Sequence, residues 1–358
     1  MTSTDKLFRL GVLVTDRCNR GCSHCLVKAQ DKGRQYLQPE QVRKLVIEAK
    51  ALNYKIEGHI SGMGEPLMNR KVVKIAEAFT GLKICREISF ITSGFLAKDE
   101  DERALFRELI TSHFREVLTI NLSFNLYSPS FSERLEESIG ELLNSGKFSN
   151  SRINMVCDRK NYFKTLFELS EIFYSIQTKQ GIKWRTLPQD VSHESAFRVN
   201  FHEFLNQAFN EEEEAQLTGG AWFIPSIHKF ESEDKGIHYL WVDPTMASHI
   251  GRAKNLPGGN FSKRNFRCRL IFGAQDDYSL YLGPDGKIFP ACNCTLSGLQ
   301  IGTWETPLQE LFERKRALQK NLLQTILASK TLVWNKKHPC DACAAMAKGV
   351  FPFVGSSS

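Results

Sequence analysis

Three cysteines stand within eight residues near the front of the chain: Cys18, Cys22 and Cys25 in TDRCNRGCSHC, spaced C-x3-C-x2-C. Three is an odd count. Disulfides leave one thiol over, and a tetrahedral zinc site asks for a fourth ligand nearby. In a chain with no export signal, clustered thiols read as metal ligands or catalytic groups rather than as disulfides. A loop of this spacing wraps three corners of a cubane iron–sulfur cluster, for which thiolates are the usual protein ligands. One iron is then left without a protein ligand. That iron is open to a substrate or cofactor, as an open position on a catalytic metal is. The plainer alternative is a zinc loop or incidental thiols.

Cys268, Cys292, Cys294, Cys340 and Cys343 form a second group, in which HPCDAC carries a C-x2-C pair of the kind that also binds structural zinc. The remaining two of the ten cysteines, Cys85 and Cys157, stand alone and read as buried small hydrophobes. A further motif, GMGEP, spans Gly62 to Pro66.

These motifs need a scaffold, and the first half of the chain supplies a regular one. Short apolar runs at 8–15, 57–64, 87–94, 116–124, 151–158 and 181–188 read as strands. Runs at helical spacing fill 39–52, 70–82, 100–114, 129–146 and 162–178, with Pro39 suited to a first helical turn. Strands alternating with helices imply a parallel sheet built from right-handed crossovers. Six such units fit either an open partial barrel or a doubly wound sheet. In both, loops after the strands line the C-terminal edge where ligands bind. The cysteine loop follows the first strand and GMGEP the second, so both point to that edge.

The rhythm breaks near residue 190. FLNQAFNEEEEAQLTGG reads as an acidic helix whose four glutamates, Glu211 to Glu214, form a solvated face. YSLYLGPDGKIFPACNC reads as a hairpin turned at GPDG, with its return strand ending in cysteines. A helix follows from Thr306, which is suited to the N-cap, with Pro307 first and Gln309 completing a capping box.

The chain has 358 residues, 42% of them hydrophobic, and a formal charge of +7. It is long enough for a sizeable core. No run approaches the roughly 18 apolar residues of a membrane span, and nothing resembles a signal peptide. A cytoplasmic protein without a membrane partner is expected. Basic residues are scattered without interleaved aromatics, so nucleic acid is not an expected partner.

The front motif resembles the hallmark of the radical S-adenosylmethionine (SAM) superfamily, C-x3-C-x2-aromatic-C, with His24 in the aromatic slot. GMGEP resembles the G-G-E-P-like segment that follows strand two in that family. The resemblance implies a partial (β/α)6 TIM-like barrel and a [4Fe-4S] cluster on Cys18, Cys22 and Cys25. It also implies reductive cleavage of SAM to a 5′-deoxyadenosyl radical that abstracts a substrate hydrogen atom. Gly62, Met63, Gly64 and Glu65 are then expected at the methionyl end of SAM, with Glu65 alternatively capping the next helix. Ser123 or Asn125, on the fourth strand, is expected near the ribose or carboxylate, and Arg185 is a further candidate or a surface ion pair. No residue is singled out as catalytic beyond the cofactors.

The second cysteine group resembles the twitch region of SPASM/twitch enzymes. This implies one auxiliary [4Fe-4S] cluster on Cys268, Cys340, Cys343 and either Cys292 or Cys294, with zinc as the alternative. The expected domains are a barrel over 1–190, a bridging region over 191–262, a twitch-type hairpin-plus-helix region over 263–350 and a flexible tail over 351–358. A flavodoxin- or ferredoxin-type electron donor is implied. The substrate is expected to be a ribosomally made peptide, served by a separate leader-binding protein. A small molecule such as an aminocyclitol or sugar is the second choice, and a non-catalytic metal-binding scaffold the third.

Overall fold

The computed structural model describes residues 6–23, 25, 29, 31–145, 151–157, 162–187, 226–232, 236–246, 278–291 and 299–328. In chain order the elements are β1 (Lys6–Leu13), α1 (Pro39–Ala51), β2 (Tyr54–Ser61), α2 (Val72–Thr80), β3 (Cys85–Thr92), α3 (Glu100–Thr111), β4 (Leu118–Phe124) and α4 (Phe131–Asn144). They continue as β5 (Ser151–Cys157), α5 (Tyr162–Gln180), β6 (Lys183–Leu187), β7 (Ser226–Ser232), β8 (Gly236–Met246), β9 (Ser279–Leu282), β10 (Lys287–Phe289), β11 (Gly302–Thr303) and α6 (Leu308–Ala328). The expected α/β alternation is present, and the acidic helix expected over Glu211 to Glu214 lies outside the described residues. The chain divides into two compact units. One comprises Met1–Asn19, Ala29–Ser89 and Ser262–Ser358, the other Arg20–Lys28 and Phe90–Phe261.

In the first unit, β1 and β2 run parallel from Lys6↔Tyr54 to Leu13↔Ser61. Strand alternation sorts their side chains. Phe8, Leu10, Val12, Ile56 and Ile60 are buried, as are Val42, Leu45, Val46 and Ala49 of α1 at helical spacing. Arg9 and Glu57, facing the other way, pair at 2.9 Å. Helix α1 starts at Pro39, and the Gln38 N–H donates to Gln41 Oε1 at 2.9 Å. Strand β9 adds to β1 in parallel, and β10 and β11 follow antiparallel. The β9–β10 turn is the expected GPDG, with Gly286 at φ +81, a conformation that favours glycine. Phe312 of α6 packs its ring at 5.4 Å from Phe8 and 5.0 Å from Tyr278.

The cap of α6 differs from the expectation. Thr306 Oγ1 accepts from the Thr303 N–H at 3.2 Å, and Glu48 of α1 takes the first helical donor, the Leu308 N–H, at 2.7 Å. Helix N-termini need acceptors, and tertiary packing supplied one that local sequence does not show.

In the second unit, β4 and β5 are parallel, and β8 lies parallel to β5 from Ser151↔Leu240 to Cys157↔Met246. Strand β7 is antiparallel to β8, and β6 antiparallel to β7. The place beside β5, expected for the strand at 181–188, therefore belongs to β8. The stretch read as bridging contributes two strands. Pro244 lies within β8 opposite Met155 of β5, and proline cannot donate to the ladder. The unit's core holds Ile120, Leu122 and Phe124 of β4, Leu135, Ile139, Leu142 and Leu143 of α4, and Phe173 of α5.

Candidate functional site

The cysteine loop begins where β1 ends, and its first half belongs to the first unit. The Val14 N–H donates to Ser61 O at 2.9 Å, carrying the chain past the end of β2. Thr15 is fully buried. Its hydroxyl donates to Gln35 O at 2.9 Å and accepts from the Arg17 N–H at 3.0 Å. GMGEP then locks onto this segment: Gly64 N–H donates to Thr15 O at 2.8 Å, and Glu65 N–H to Arg17 O at 2.9 Å. The approach is close enough to require glycine. A Cβ on Gly64 would lie 1.8 Å from Arg17 O, and one on Gly62 2.2 Å from Gly64 O. Close approach was expected at these glycines, but toward a ligand. Here the partner is the chain's own backbone, directly ahead of Cys18.

Met63 is half-buried between them. Glu65 is buried, and its carboxylate accepts from the Leu67 N–H at 3.3 Å as N-cap of a short 3-10 helix, Pro66–Met68. Its capping role is thus present. Asn69, not singled out in the sequence, is 2% exposed and stitches the same corner. Its amide donates to Val14 O at 2.8 Å and Leu37 O at 3.2 Å, while its Oδ1 accepts from the Lys71 N–H at 2.9 Å. An asparagine just ahead of a helix reads as a local cap, so its long-range bonds leave no sequence signal. Arg17 donates to Asp31 O and Oδ1, both at 3.2 Å. Hydrogen bonds to Tyr36 and Asp31 raise its guanidinium pKa further.

On the strands below, Gly11 of β1 leaves room for the Tyr281 ring, which would lie 2.3 Å from an added Cβ. Burial lowers the His59 pKa on β2.

The second half of the loop belongs to the second unit. Gly21 turns it at φ +65. Arg20 is 4% exposed and its guanidinium enters the β3–α3 connection. Its Nε donates to Ser93 Oγ at 3.0 Å, and its Nη2 to Gly94 O at 2.8 Å and to the Glu102 carboxylate. The Ser23 N–H donates to Tyr127 O at 2.9 Å, and the Cys25 N–H to Cys22 O at 3.3 Å. Asn125, at the end of β4, is buried, and its Oδ1 accepts from the Tyr127 N–H at 3.1 Å, shaping the turn that receives Ser23. Ser123 is half-buried one alternation earlier on β4, in register with Asn154 of β5. Arg185 is exposed on β6, opposite Lys229 of β7.

Cys18 therefore falls in one unit and Cys22 and Cys25 in the other. All three are half-buried and outside disulfides. Among the described residues no three of His, Cys, Asp and Glu converge as a ready cage for a metal ion. Part-exposed thiols outside disulfides are nevertheless the donor chemistry that an iron–sulfur cluster takes, and each half of the loop is anchored within its own unit. Cys85, expected to be buried, is half-buried as those three are. Burial pushes its thiol up to about 11, and its Sγ donates to Glu87 O at 3.4 Å, as befits an inert cysteine. His24, Cys268, Cys292, Cys294, Cys340 and Cys343 lie outside the described residues, as does the side chain of Cys157.

Residues 12–155 match the family model described as the Radical SAM superfamily. GTP 3′,8-cyclase of Staphylococcus carnosus (strain TM300) is 28% identical over 114 residues, 28% of this chain and 32% of that protein. The match thus spans about a third of the length of that curated relative. Among solved structures, Streptococcus suis SuiB bound to precursor peptide SuiA aligns over 96% of this chain and 71% of its own, at 14% identity and TM-score 0.50. The AdoMet-bound anSMEcpe aligns over 90% and 86%, at 15% identity and TM-score 0.47. At such identities the likeness to SuiB is one of fold. No helix among the described residues is long and apolar enough to cross a membrane.

Proposed function

We propose that this chain is an enzyme of the radical SAM superfamily, and a peptide-modifying one; the match of residues 12–155 to that family model supports the reading. The observation that carries the cofactor reading is the lock between GMGEP and the cysteine loop. Gly64 and Glu65 donate backbone bonds to Thr15 and Arg17 at 2.8 and 2.9 Å, immediately ahead of Cys18. Such a lock fixes one motif relative to the other, as a cluster-bound cofactor held by both requires.

In this reading Cys18, Cys22 and Cys25 hold a [4Fe-4S] cluster. When bound, the cluster supplies one electron that splits the SAM sulfonium, giving methionine and a 5′-deoxyadenosyl radical that takes a hydrogen atom from substrate. The chain's own residues orient and enclose. Gly62, Met63 and Gly64 present backbone to the methionyl end of SAM, Glu65 holds that backbone through its cap, and His24 lies within the cluster loop. Ser123 and Asn125 offer polar contacts from the end of β4. The barrel region covers 1–190, with bridging, auxiliary and tail regions at 191–262, 263–350 and 351–358. Cys268, Cys340, Cys343 and one of Cys292 and Cys294 hold an auxiliary [4Fe-4S] cluster in a twitch-type region. A flavodoxin or ferredoxin of the cytoplasm supplies electrons.

The peptide substrate is supported by the fold likeness to SuiB, solved with its precursor peptide SuiA. Anaerobically reconstituted protein with SAM and dithionite should form 5′-deoxyadenosine. The Cys18→Ala/Cys22→Ala/Cys25→Ala protein should form none and should lose one cluster's iron. Full iron content in that variant refutes the assignment. The iron and sulfide it retains should sit on the C-terminal cysteines, and zinc without sulfide there refutes the auxiliary cluster. A mass change in a precursor peptide, absent with sugars and aminocyclitols, tests the substrate class.

A further inference from the structure

We propose that Arg20 is a positioning residue for the front cluster, acting as a buried clamp that ties the middle of the C-x3-C segment to the first turn of α3 through Glu102. The proposal rests on the cluster reading above. Arg20 lies midway between Cys18 and Cys22, where an arginine in a surface loop would extend into water. Instead its side chain is 3% exposed and that of Glu102 6%. Charges are buried in this way only when paired and further hydrogen-bonded. Here the guanidinium fork meets three acceptors from one connection: Ser93 Oγ at 3.0 Å, Gly94 O at 2.8 Å and the Glu102 carboxylate.

Two of these acceptors, on Gly94 and Glu102, sit on fixed backbone. Gly94 has φ +76, and a Cβ there would lie 2.4 Å from Ser138 Oγ, so the turn that aims its carbonyl at Arg20 is available to glycine alone. Its N–H donates to Thr92 Oγ1 at 3.0 Å. The Glu102 N–H donates to the N-cap Asp99 at 3.2 Å, which sets the first turn of α3. Glu102 also sits where a helix N-terminus favours negative charge. Arg20 therefore enters a preformed socket, and the loop that carries Cys22 takes its place from that socket. A guanidinium is required: lysine's single ammonium is a point charge that does not reproduce the fork.

Groups behind a metal ligand typically change metal affinity by about 10–100-fold when removed. Arg20→Met/Glu102→Leu removes both charges, a change that buried pairs often tolerate in stability. The cluster-free form of the full-length double variant should melt somewhat lower, because Gly94 O loses its buried donor, but should match wild type in circular dichroism. The cluster-loaded double variant should release front-cluster iron to a chelator at least about tenfold faster, with front-cluster iron defined as that absent from the triple-cysteine variant. The EPR spectrum of the reduced protein with SAM should change, and Arg20→Lys should fall between the two. If the double variant does not fold, the volume-conserving Arg20→Lys and Glu102→Gln are read by the same chelator and EPR measurements. Wild-type release rates and an unchanged EPR signal in the folded variants overturn the clamp. Wild-type protein with no iron dependent on the three front cysteines overturns the cluster reading instead, so the two failures are distinct.

Discussion

The two halves of the cysteine loop are held by different physics. Ahead of Cys18, backbone meets backbone: Gly64 and Glu65 donate to Thr15 and Arg17 carbonyls, and Asn69 adds a neutral amide. Beyond Cys18, charge does the holding. Arg20 is paired with Glu102 on α3, and α3 is fastened to α4 by Arg103 and Arg107 on Glu141 at 2.8 and 2.6 Å. Neutral backbone contacts depend on exact spacing and are indifferent to pH and salt. Ionic contacts tolerate small shifts in spacing but respond to protonation, screening and loss of one partner. The first half should therefore fail through sterics and the second through charge.

The largest effect should come from Gly64→Ala. Its Cβ would meet Arg17 O at 1.8 Å with backbone on both sides, so the lock must open. We expect a loss of about 1–3 kcal/mol in stability, together with loss of 5′-deoxyadenosine formation, read by calorimetry and by product analysis. A stable, active Gly64→Ala protein would break the comparison at its strongest point.

Asn69→Ala should come next. It leaves Val14 O and Leu37 O without this buried donor, at about 1–3 kcal/mol. The effect should persist in high salt, and a loss that vanishes with added salt would contradict a neutral anchor. Gly21→Ala sharpens the contrast from the other half. Its φ is +65, but an added Cβ meets nothing within 4 Å. Only the left-handed backbone penalty of about 1–2 kcal/mol applies, and Gly21→Asn should recover part of it. Equal damage from Gly21→Ala and Gly64→Ala would mean that steric fit does not distinguish the halves.

The smallest effect concerns Glu141. Burial pushes its carboxyl up, but Arg107 and Arg103 more than offset this and hold it below its ordinary value of 4.5. A depressed carboxylate contributes stability above its ordinary value and loses it as pH falls through the folded value. Cluster-free protein should therefore lose this contribution only below about pH 4.5, and Glu141→Gln should flatten that part of the melting profile. An unchanged acid profile in Glu141→Gln would remove this ion pair from the account of α3.

Spacing and periodicity in the sequence determined much of this protein. Three thiols at C-x3-C-x2-C, glycines in GMGEP and the strand–helix rhythm place both motifs after successive parallel strands, because these are local properties of the chain. The glycine requirement at Gly62 and Gly64 was likewise legible, although its partner was not. Tertiary structure alone decided what each residue meets. Strand β8 comes from the stretch read as bridging, and only pairing with β5 shows that it occupies the place expected for the strand at 181–188. Thr306 has the composition of a cap, yet Glu48, 260 residues away in sequence, takes the Leu308 donor. Arg20 stood in plain view between two cysteines, and Glu102 looked like an ordinary acidic residue in a first helical turn. Their pairing spans 82 residues. Burial and ion pairing are properties of distance in space, and a sequence carries only distance along the chain.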